Sequence, residues 1–272
     1  MFESVRDAFD LQSDLFDEYE EGNEILKRMR ASVREHLLRH LRENNRVLEI
    51  NAGTGSDAVF LAERGYNTHA TDISEGMLKK LKEKIDEKGV RDRVTFELLS
   101  FTELDRLGEK DFDYIFSNFG GLNCTGDLSV VTKHFKNILT SGGKTTLVVM
   151  PPVCPWEIIL ALKGRFKQAF RRLHAGGVNA HIEGVKFKTY YHGLRKLKKT
   201  LSPDFKLIEV QGLSSVGPPP YAVKFAETHP RLCSLLERID KLLSHVFPFD
   251  RWADHYIATF ELTRKYNRKN SY

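Results

Sequence analysis

The stretch RVLEINAGTGSDAVFLAERGYNTHATDIS, residues 46–74, contains the strongest structural signal in the chain. Its apolar run at 47–50 is typical of a buried strand. Gly53 and Gly55 then allow a sharp backbone turn beside a ligand, and residues 58–63 have the apolar spacing of a helix. The pattern predicts a strand, a glycine turn and a helix, which is the first part of a βαβ nucleotide-binding unit.

Asp72 closes the second strand of this unit. A carboxylate at that position can accept hydrogen bonds from both hydroxyl groups of a ribose, while the start of the helix faces the rest of the nucleoside. The unit therefore predicts a binding site for an adenosine compound.

Two classes of cofactor fit this architecture. Gly53, Gly55 and Ala58 satisfy the relaxed dinucleotide fingerprint, so a nicotinamide-dependent oxidoreductase is one alternative. Glu49, at the end of the first strand, favours the other class, because its carboxylate would repel a pyrophosphate and would suit a cationic amino acid.

Residues Glu49 to Gly55, EINAGTG, resemble the first motif of the class I S-adenosylmethionine-dependent methyltransferases, in which an acid is followed by glycines at alternate positions. Asn51 stands where that motif has its first glycine. Asparagine tolerates left-handed backbone angles better than other non-glycine residues, so we expect the turn to be kept.

Later segments resemble the further motifs of this family in the required order. Asp72 with Ile73, Ser74 and Met77 resembles the second motif, FDYIFSNF at 112–119 the fourth strand, and LTSGGKTTLVVM at 139–150 a glycine turn and fifth strand. Many members carry an acid after the third strand, where this chain has LLSF at 98–101. The Ser100 hydroxyl either replaces that acid as the partner of the adenine amino group, or the contact is missing.

The resemblance implies S-adenosyl-L-methionine as the cofactor and predicts which residues contact it. Tyr19 is similar to the aromatic residue that many small-molecule methyltransferases place over the cofactor, and Arg30 is placed to reach the methionyl carboxylate. The full predicted set is Tyr19, Arg30, Glu49, Asn51, Ala52, Gly53, Gly55, Asp72, Ile73, Met77, Ser100, Phe101, Asn118 and Phe119.

Methyl transfer requires little catalytic machinery beyond alignment and, for some acceptors, removal of a proton. The predicted catalytic residues are Asn118, Tyr190 and His192. Asn118 either orients a substrate or cofactor amino group or caps the loop after its strand. His192 or His181 is a candidate general base. The spacing of the histidines predicts no metal site.

The predicted fold is α/β: a doubly wound, seven-stranded, mostly parallel sheet with N-terminal helices and a helical cap insertion. We predict N-terminal helices over the cofactor site (1–45), a cofactor-binding core (46–150), a cap insertion with a connecting helix (151–203), and the remaining core strands with a second helical insertion (204–272). The expected helices are 3–20, 24–42, 156–173, 194–201 and 222–246, and the later strands are 187–191, 204–212 and 254–262.

The composition is that of a folded protein with a large core, since 41% of the 272 residues are hydrophobic. No uncharged stretch approaches the ~18 residues that a membrane span requires. The N-terminus is acidic, which is not typical of a secretion signal. Cys124, Cys154 and Cys233 form no CxxC pair and are expected to be reduced thiols. These features predict a cytoplasmic protein with no membrane span.

Charge is distributed unevenly along the chain. Residues 161–200 contain eleven Lys or Arg and the single acid Glu183, whereas residues 1–24 contain nine acids and the single base Arg6. The two segments either attract one another or are solvated faces, or the basic segment steers an anionic substrate to the site. Nucleic-acid binding is a third interpretation, disfavoured by the acidic N-terminus and the absence of a recognisable RNA-binding module.

The sequence thus predicts an enzyme that transfers a methyl group to a hydroxyl or amine of a small, aromatic or anionic molecule. The alternatives are a nucleic-acid methyltransferase, an NAD(P)-dependent oxidoreductase and an inactive protein that binds S-adenosylmethionine. The sequence does not indicate the oligomeric state.

Overall fold

The computed structural model describes residues 2–263 and has a seven-stranded sheet at its centre. The order of its strands is β3-β2-β1-β4-β5-β9-β8. The strands are β1 Arg46–Ile50, β2 Asn67–Asp72, β3 Val94–Leu98, β4 Phe112–Ser117, β5 Leu139–Val149, β8 Phe205–Leu213 and β9 His255–Leu262, with β6 Val178–Ile182 and β7 Val185–Thr189 in a separate hairpin. Strands β1 to β5 are parallel and β9 runs antiparallel to both β5 and β8, which confirms the predicted fold class.

Helices cover both faces of the sheet. They are α1 Phe2–Gln12, α2 Phe16–Glu21, α3 Glu24–His40, α4 Ser56–Ala62, α5 Glu75–Lys88, α6 Ser129–Thr132, α7 Phe135–Ile138, α8 Pro155–Ile158, α9 Phe166–Ala169, α10 Leu194–Leu201, α11 Val223–Thr228 and α12 Pro230–Leu243. Among residues 2–263, none of these is both long and apolar enough to cross a bilayer. The end of the predicted segment 204–272, from residue 264 onward, lies outside the described residues.

The first predicted helix, 3–20, is two helices in the structure. The chain turns after α1 because the backbone N–H and the hydroxyl of Ser13 both donate to the carbonyl of Asp10, at 3.3 and 2.7 Å. The second predicted helix is α3, which ends at His40 and not at residue 42. Its start is fixed by Asn23, whose side chain accepts hydrogen bonds from two backbone N–H groups of the first turn.

The cap insertion differs more from the prediction. The expected helix 156–173 is four short helical pieces, α8, Ile159–Lys163, α9 and Arg171–Leu173, because Gly164 has a left-handed φ of +70° that ends the first two. The expected strand 187–191 is β7, part of a hairpin whose two turn residues, Glu183 and Gly184, both have positive φ.

The other late elements agree with the prediction within three residues. These are α10, β8, β9 and the pair α11 and α12, the second of which begins at Pro230 as expected. Because β9 inserts between β5 and β8, residues more than 100 positions apart in the chain become neighbours in the sheet.

Gly55 is required by the packing of α4 against α5. It has φ +74°, and an added Cβ would lie 2.0 Å from Cδ1 of Leu81. We predict that Gly55→Ala lowers the free energy of unfolding by about 2–4 kcal/mol, from left-handed strain plus overpacking. Gly65→Ala is the matched control, since Gly65 has φ +90° with nothing within 4 Å of an added Cβ. Urea unfolding of both variants should separate the two contributions, and equal losses would contradict the packing role of Gly55.

Candidate functional site

A cavity lies where the carboxyl ends of β1, β2 and β4 meet the N-terminal helices. Ligands of open α/β sheets bind at this edge. Twelve of the fourteen residues predicted at the cofactor line the cavity: Arg30, Glu49, Asn51, Ala52, Gly53, Asp72, Ile73, Met77, Ser100, Phe101, Asn118 and Phe119. Tyr19 and Gly55 are not among its lining residues.

Asp72 fixes the glycine loop to the second strand. One carboxylate oxygen accepts from the N–H of Gly53 at 2.8 Å and the other from the N–H of Ser74 at 3.0 Å. Burial raises the pKa of Asp72 above its ordinary value, although these backbone donors oppose the shift. The carboxylate is thus held at the cavity wall with its position set by two loops.

Glu49 is 2% exposed, and its Oε2 atom has no hydrogen-bond partner. Burial, and then the nearby carboxylate of Asp57, raise the pKa of Glu49 well above its ordinary value, against the opposing effect of Arg30 and Arg34. A buried carboxyl oxygen without a donor is unusual in a folded protein and fits a donor supplied by a ligand. Glu49 therefore suits a cationic group in this cavity.

Arg30 is buried and already engaged by two acids. Its guanidinium bonds to both oxygens of Glu20 and to Asp57, and it lies 4.8 Å from the centre of the Phe119 ring. Asp57 also accepts from Arg34 at 2.7 Å. Sequence reasoning missed Asp57, although its place in the first turn of α4 beside the glycine loop was visible.

Asn51 adopts the left-handed conformation expected of it, with φ +52°. Its side chain donates to the carbonyl of Asn118 at 3.1 Å and accepts from the hydroxyl of Ser117 at 2.6 Å, so it joins the ends of β1 and β4. An added Cβ on Gly121 would lie 2.4 Å from this side chain. Asn51 thus replaces the first glycine of the motif, and its side chain fits because Gly121 has no Cβ at this contact.

The aromatic residue of α2 that lines the cavity is Phe16, not Tyr19. Phe16 lies one helical turn before Tyr19, and its ring would be 3.9 Å from an added Cβ on Gly53. Tyr19 is 54% exposed, and its hydroxyl donates to Glu183 at 3.3 Å. The prediction selected the wrong face of the helix.

Helix α1 forms an apolar roof over the cavity through Phe2, Val5 and Phe9. The roof is held by Asp10, whose carboxylate accepts from the hydroxyl of Ser74 and from the N–H of Gly76. Asp10 of the acidic N-terminal segment therefore binds the loop that follows β2.

The side of the cavity beyond β3 is mostly apolar, with Ile73, Met77, Leu99 and Phe101 in its wall. Ser100 is also in the wall, but its hydroxyl lies 2.8 Å from the hydroxyl of Thr102. No acid replaces the one that many members of the resembling family have here, and Ser100 remains available as a hydroxyl donor or acceptor.

Comparison with known proteins agrees with this site. Residues 47–143 match the family model described as "Methyltransferase domain", and this range contains β1 through β4 with their ligand-facing loops. The chain therefore contains a methyltransferase domain, and its sheet has the strand order of the class I methyltransferase fold. Its cofactor is S-adenosylmethionine, as predicted, and a search of curated protein sequences found no match.

Solved structures share the fold at low sequence identity. The methyltransferase is similar to the [4+2]-cyclase SpnF (14% identity, 95% of each chain covered, TM-score 0.63). It is also similar to magnesium protoporphyrin IX methyltransferase ChlM from Synechocystis PCC 6803 with bound SAH (17%, 95% of this chain and 98% of that chain, 0.62). A third similar structure is the CcbJ methyltransferase from Streptomyces caelestis (18%, 93% and 96%, 0.61). The cyclase shows that this fold alone does not define an activity.

The structure does not bring two of the three predicted catalytic residues of the methyltransferase to the cavity. His192 is buried, with Nε2 2.8 Å from the carbonyl of Thr125, and burial lowers its pKa to about 4. The ring of Tyr190 packs beside Gly126 and Gly177. Both residues come after β5, where the chain has already left the sheet edge that forms the cavity.

Asn118 does line the cavity, and its hydrogen bonds include the loop cap that was one of the two alternatives considered for it. Its Nδ2 donates to Asp57 at 2.6 Å, while its Oδ1 accepts from the N–H of Phe119 and closes the loop. Phe119 has φ +39°, which is rare and strained for a large side chain. Strained loops of this kind are concentrated at functional sites.

A histidine that sequence reasoning missed lies behind this loop. His255 has Nδ1 2.9 Å from Oδ2 of Asp254, and its ring meets that of Phe119 edge to face at 5.7 Å. An added Cβ on Gly120 would lie 3.5 Å from Nε2 of His255. Asp254 also accepts from Arg172 at 2.6 Å.

The charge state of Asp254 follows from its surroundings. Burial opposes ionisation of Asp254, but His255 and Arg172 outweigh burial and hold the pKa of Asp254 below its ordinary value. An ionised Asp254 holds the imidazole of His255 through Nδ1, so Nε2 points away from the carboxylate. The arrangement is that of an oriented general base.

One further group has the donor set of a metal site, although the histidine spacing predicted none. His36 and His40, one turn apart on α3, and Glu209 on β8 place ligand atoms within 4.8 Å of one another. Arg39 lies 2.9 Å from Glu209, and both ring nitrogens of His36 have side-chain partners. We interpret the group as a hydrogen-bonded contact between α3 and the sheet.

The three cysteines are buried and free, as expected. Cys124 lines the cavity, where burial raises the pKa of its thiol to about 12. A thiol with so high a pKa is a weak nucleophile at neutral pH. It serves as an apolar part of the wall.

Proposed function

We propose that this enzyme methylates a hydroxyl group, or less favourably an amine, of a small aromatic or anionic molecule. The observation that carries the proposal is the pair of His255 and Asp254 beside Phe119 and Gly120. A hydroxyl acceptor must lose its proton as it is methylated, so a base packed against the Phe119 loop of the cavity wall favours oxygen over nitrogen.

The residues of the cavity fit the cofactor. Asp72 would accept from the ribose hydroxyls, Glu49 would face the cationic part, and Ile73, Met77 and Phe101 would contact the adenine. Arg30 would bind the methionyl carboxylate in place of Glu20, with which it is now paired. Gly55 acts by packing and Tyr19 lies outside the cavity, so we do not propose contacts for them.

When bound, the cofactor supplies a methyl group made electrophilic by its sulfonium, and S-adenosylhomocysteine is the product. His255 would receive the acceptor proton on Nε2. Asp254 would keep the proton on Nδ1 and stabilise the imidazolium, while Arg172 fixes Asp254 in place. Asn118 would orient the loop that separates His255 from the cavity.

Several observations support a small acceptor. The roof residues Phe2, Val5 and Phe9, with Phe16 and Phe101, make the wall apolar and aromatic. A mostly apolar wall with a few polar groups is typical of a small-molecule site. The similar ChlM is named for methylation of magnesium protoporphyrin IX, a small anionic ring system.

Two measurements test this function. Calorimetric titration should show micromolar binding of S-adenosylhomocysteine and none of NADH or NADPH. Transfer of tritiated methyl from S-adenosylmethionine is then measured on phenols, phenolic acids and the corresponding amines, with phenols and phenolic acids expected to be labelled most. Binding of a nicotinamide cofactor would overturn the cofactor assignment. Binding of S-adenosylhomocysteine together with preferential labelling of amines would overturn the role of His255 as general base.

Glu49 should link cofactor binding to pH. Its pKa is raised in the free protein, and a cationic ligand favours the ionised form, so binding releases a proton and affinity increases as pH rises. Glu49→Gln should remove this pH dependence and weaken S-adenosylhomocysteine binding by roughly 10- to 100-fold, the loss of a hydrogen bond to a charged group. Titrations in buffers of different ionisation enthalpy measure the proton release.

The raised pKa of Glu49 makes the fold less stable as pH rises, whereas it makes cofactor binding stronger. A carboxyl group whose folded pKa is above its unfolded value stabilises the fold at low pH, and this stability is lost as pH rises through the folded pKa. Glu49→Gln cannot ionise, so its free energy of unfolding should exceed that of the wild type increasingly at higher pH. A variant that loses stability equally at all pH values would contradict the buried, unpaired state of Glu49.

A further inference from the structure

The cap segment, residues 158–173, exposes an unusual number of large apolar side chains. Residues 162–168 are all exposed. The exposed apolar residues of the cap segment, with the exposed fraction of each, are Ile158 40%, Ile159 49%, Leu162 87%, Phe166 62%, Phe170 46% and Leu173 58%. Exposed clusters of this kind mark interaction surfaces, whereas single exposed apolar residues need no explanation.

The same segment is strongly basic. It contains five Lys or Arg and no acid. Arg171 and Arg172 pair with Glu157, which precedes the segment. For Lys163, Arg165 and Lys167 no ion pair forms with any residue in the range 2–263. Cations and apolar side chains therefore alternate on one short exposed stretch.

The acidic N-terminal segment does not neutralise these cations, contrary to one interpretation of the sequence. Its acids are used elsewhere: Asp10 binds the loop after β2, Asp17 pairs with Lys84 at 2.7 Å, and Glu20 pairs with Arg30. The described residues contain no ion pair between segments 1–24 and 161–200. The positive charge of the cap segment thus faces solvent.

The cap segment is anchored so that its apolar side chains stay outside. Arg172 is 5% exposed and reaches Asp254, and Ala169 is also buried. Leu162 and Phe166 lie on the stretch that precedes these two buried residues, and both are exposed.

We propose that the cap segment docks on the surface of an anionic lipid bilayer. Leu162, Phe166 and their apolar neighbours would enter the boundary between headgroups and acyl chains, and Lys163, Arg165 and Lys167 would bind lipid phosphates. Charge complementarity selects an anionic surface. Nucleic acid would satisfy the cations but would leave Leu162, the most exposed of these residues, in water. This inference does not depend on the identity of the methyl acceptor.

Sedimentation of the full-length protein with phosphatidylcholine vesicles, with and without phosphatidylglycerol, tests the proposal. We expect binding to anionic vesicles to be at least ~10-fold stronger than to neutral ones and to weaken with salt. The triple change Lys163→Gln, Arg165→Gln and Lys167→Gln should weaken it on the order of 100-fold. The same change at the exposed Lys79, Lys82 and Lys110 is the matched control and should leave binding within about 2-fold.

A second pair of variants measures the contribution of apolar side chains to vesicle binding. Leu162→Glu should weaken binding to anionic vesicles by ~10-fold or more, whereas Leu242→Glu, at a leucine 79% exposed on α12, should not. Equal losses from both leucine variants, or equal binding to neutral vesicles, would overturn the proposal. Two further results would overturn it. One is binding of an oligonucleotide without binding of vesicles. The other is dimerisation, seen in ultracentrifugation and abolished by Leu162→Glu, without binding of vesicles.

Discussion

Replacing Asp72 with alanine is expected to weaken S-adenosylhomocysteine binding by at least ~100-fold. Two ribose hydroxyls would lose a charged acceptor, and each hydrogen bond to a charged group contributes about 1.5–3 kcal/mol. The change also frees the N–H groups of Gly53 and Ser74, which now donate to this carboxylate. Isothermal titration of the variant measures the loss.

Asp72→Asn is the milder variant. It keeps the shape and one acceptor oxygen, but its amide would face one of the two backbone N–H donors, so we expect a loss of affinity of roughly 10-fold and a thermal stability between those of the wild type and Asp72→Ala. If Asp72→Ala bound S-adenosylhomocysteine within threefold of the wild type, the ribose role of Asp72 would be wrong. A variant that does not fold leaves the asparagine result as the test.

Replacing His255 with glutamine is expected to lower kcat on the best hydroxyl acceptor by roughly 10²- to 10⁴-fold, the usual contribution of a general base. Glutamine can still reach Asp254 but cannot accept a proton. Because only proton removal is lost, the affinity for S-adenosylhomocysteine should change little. The acidic limb of the pH–rate profile should disappear in the variant, an effect that a merely structural role would not produce.

His192→Gln is the matched control, since His192 is also a buried histidine, but its hydrogen bond is to the backbone carbonyl of Thr125 and not to a carboxylate. Its kcat should remain within about threefold of the wild type, because no proton transfer passes through it. Asp254→Asn should reproduce much of the His255 effect through loss of the ring orientation. A larger loss of kcat for His192→Gln than for His255→Gln would restore the assignment made from the sequence.

The central unit could be predicted from the sequence because its signals are local. An apolar strand, two glycines with positive φ and an acid at the next strand end occur within 29 residues, and each has one backbone geometry that suits it. For the same reason the left-handed Asn51 was expected. Twelve of the fourteen predicted cofactor residues line one cavity because they belong to strand ends that a parallel sheet brings to one edge.

The sequence-based predictions failed where the local sequence pattern does not determine the structure. The apolar spacing of 156–173 suits a helix, but Gly164 has a left-handed φ of +70° that ends the helical turn before it. Phe16 and Tyr19 are one turn apart, and only the docking angle of α2 selects which of them faces Gly53. His255 could not be chosen from the sequence, because its place beside Phe119 depends on β9 inserting next to β5.

The roof formed by α1 has a consequence for turnover. Asp10 joins this helix to Ser74 and Gly76, residues that immediately follow the proposed ribose-binding Asp72, and Phe2, Val5 and Phe9 close the space above. We expect undocking of this helix to assist the exchange of product for fresh cofactor, as the movement of a lid does in other enzymes. The hydrogen bonds of Asp10 would then influence the rate of turnover without any contact between Asp10 and the reacting atoms.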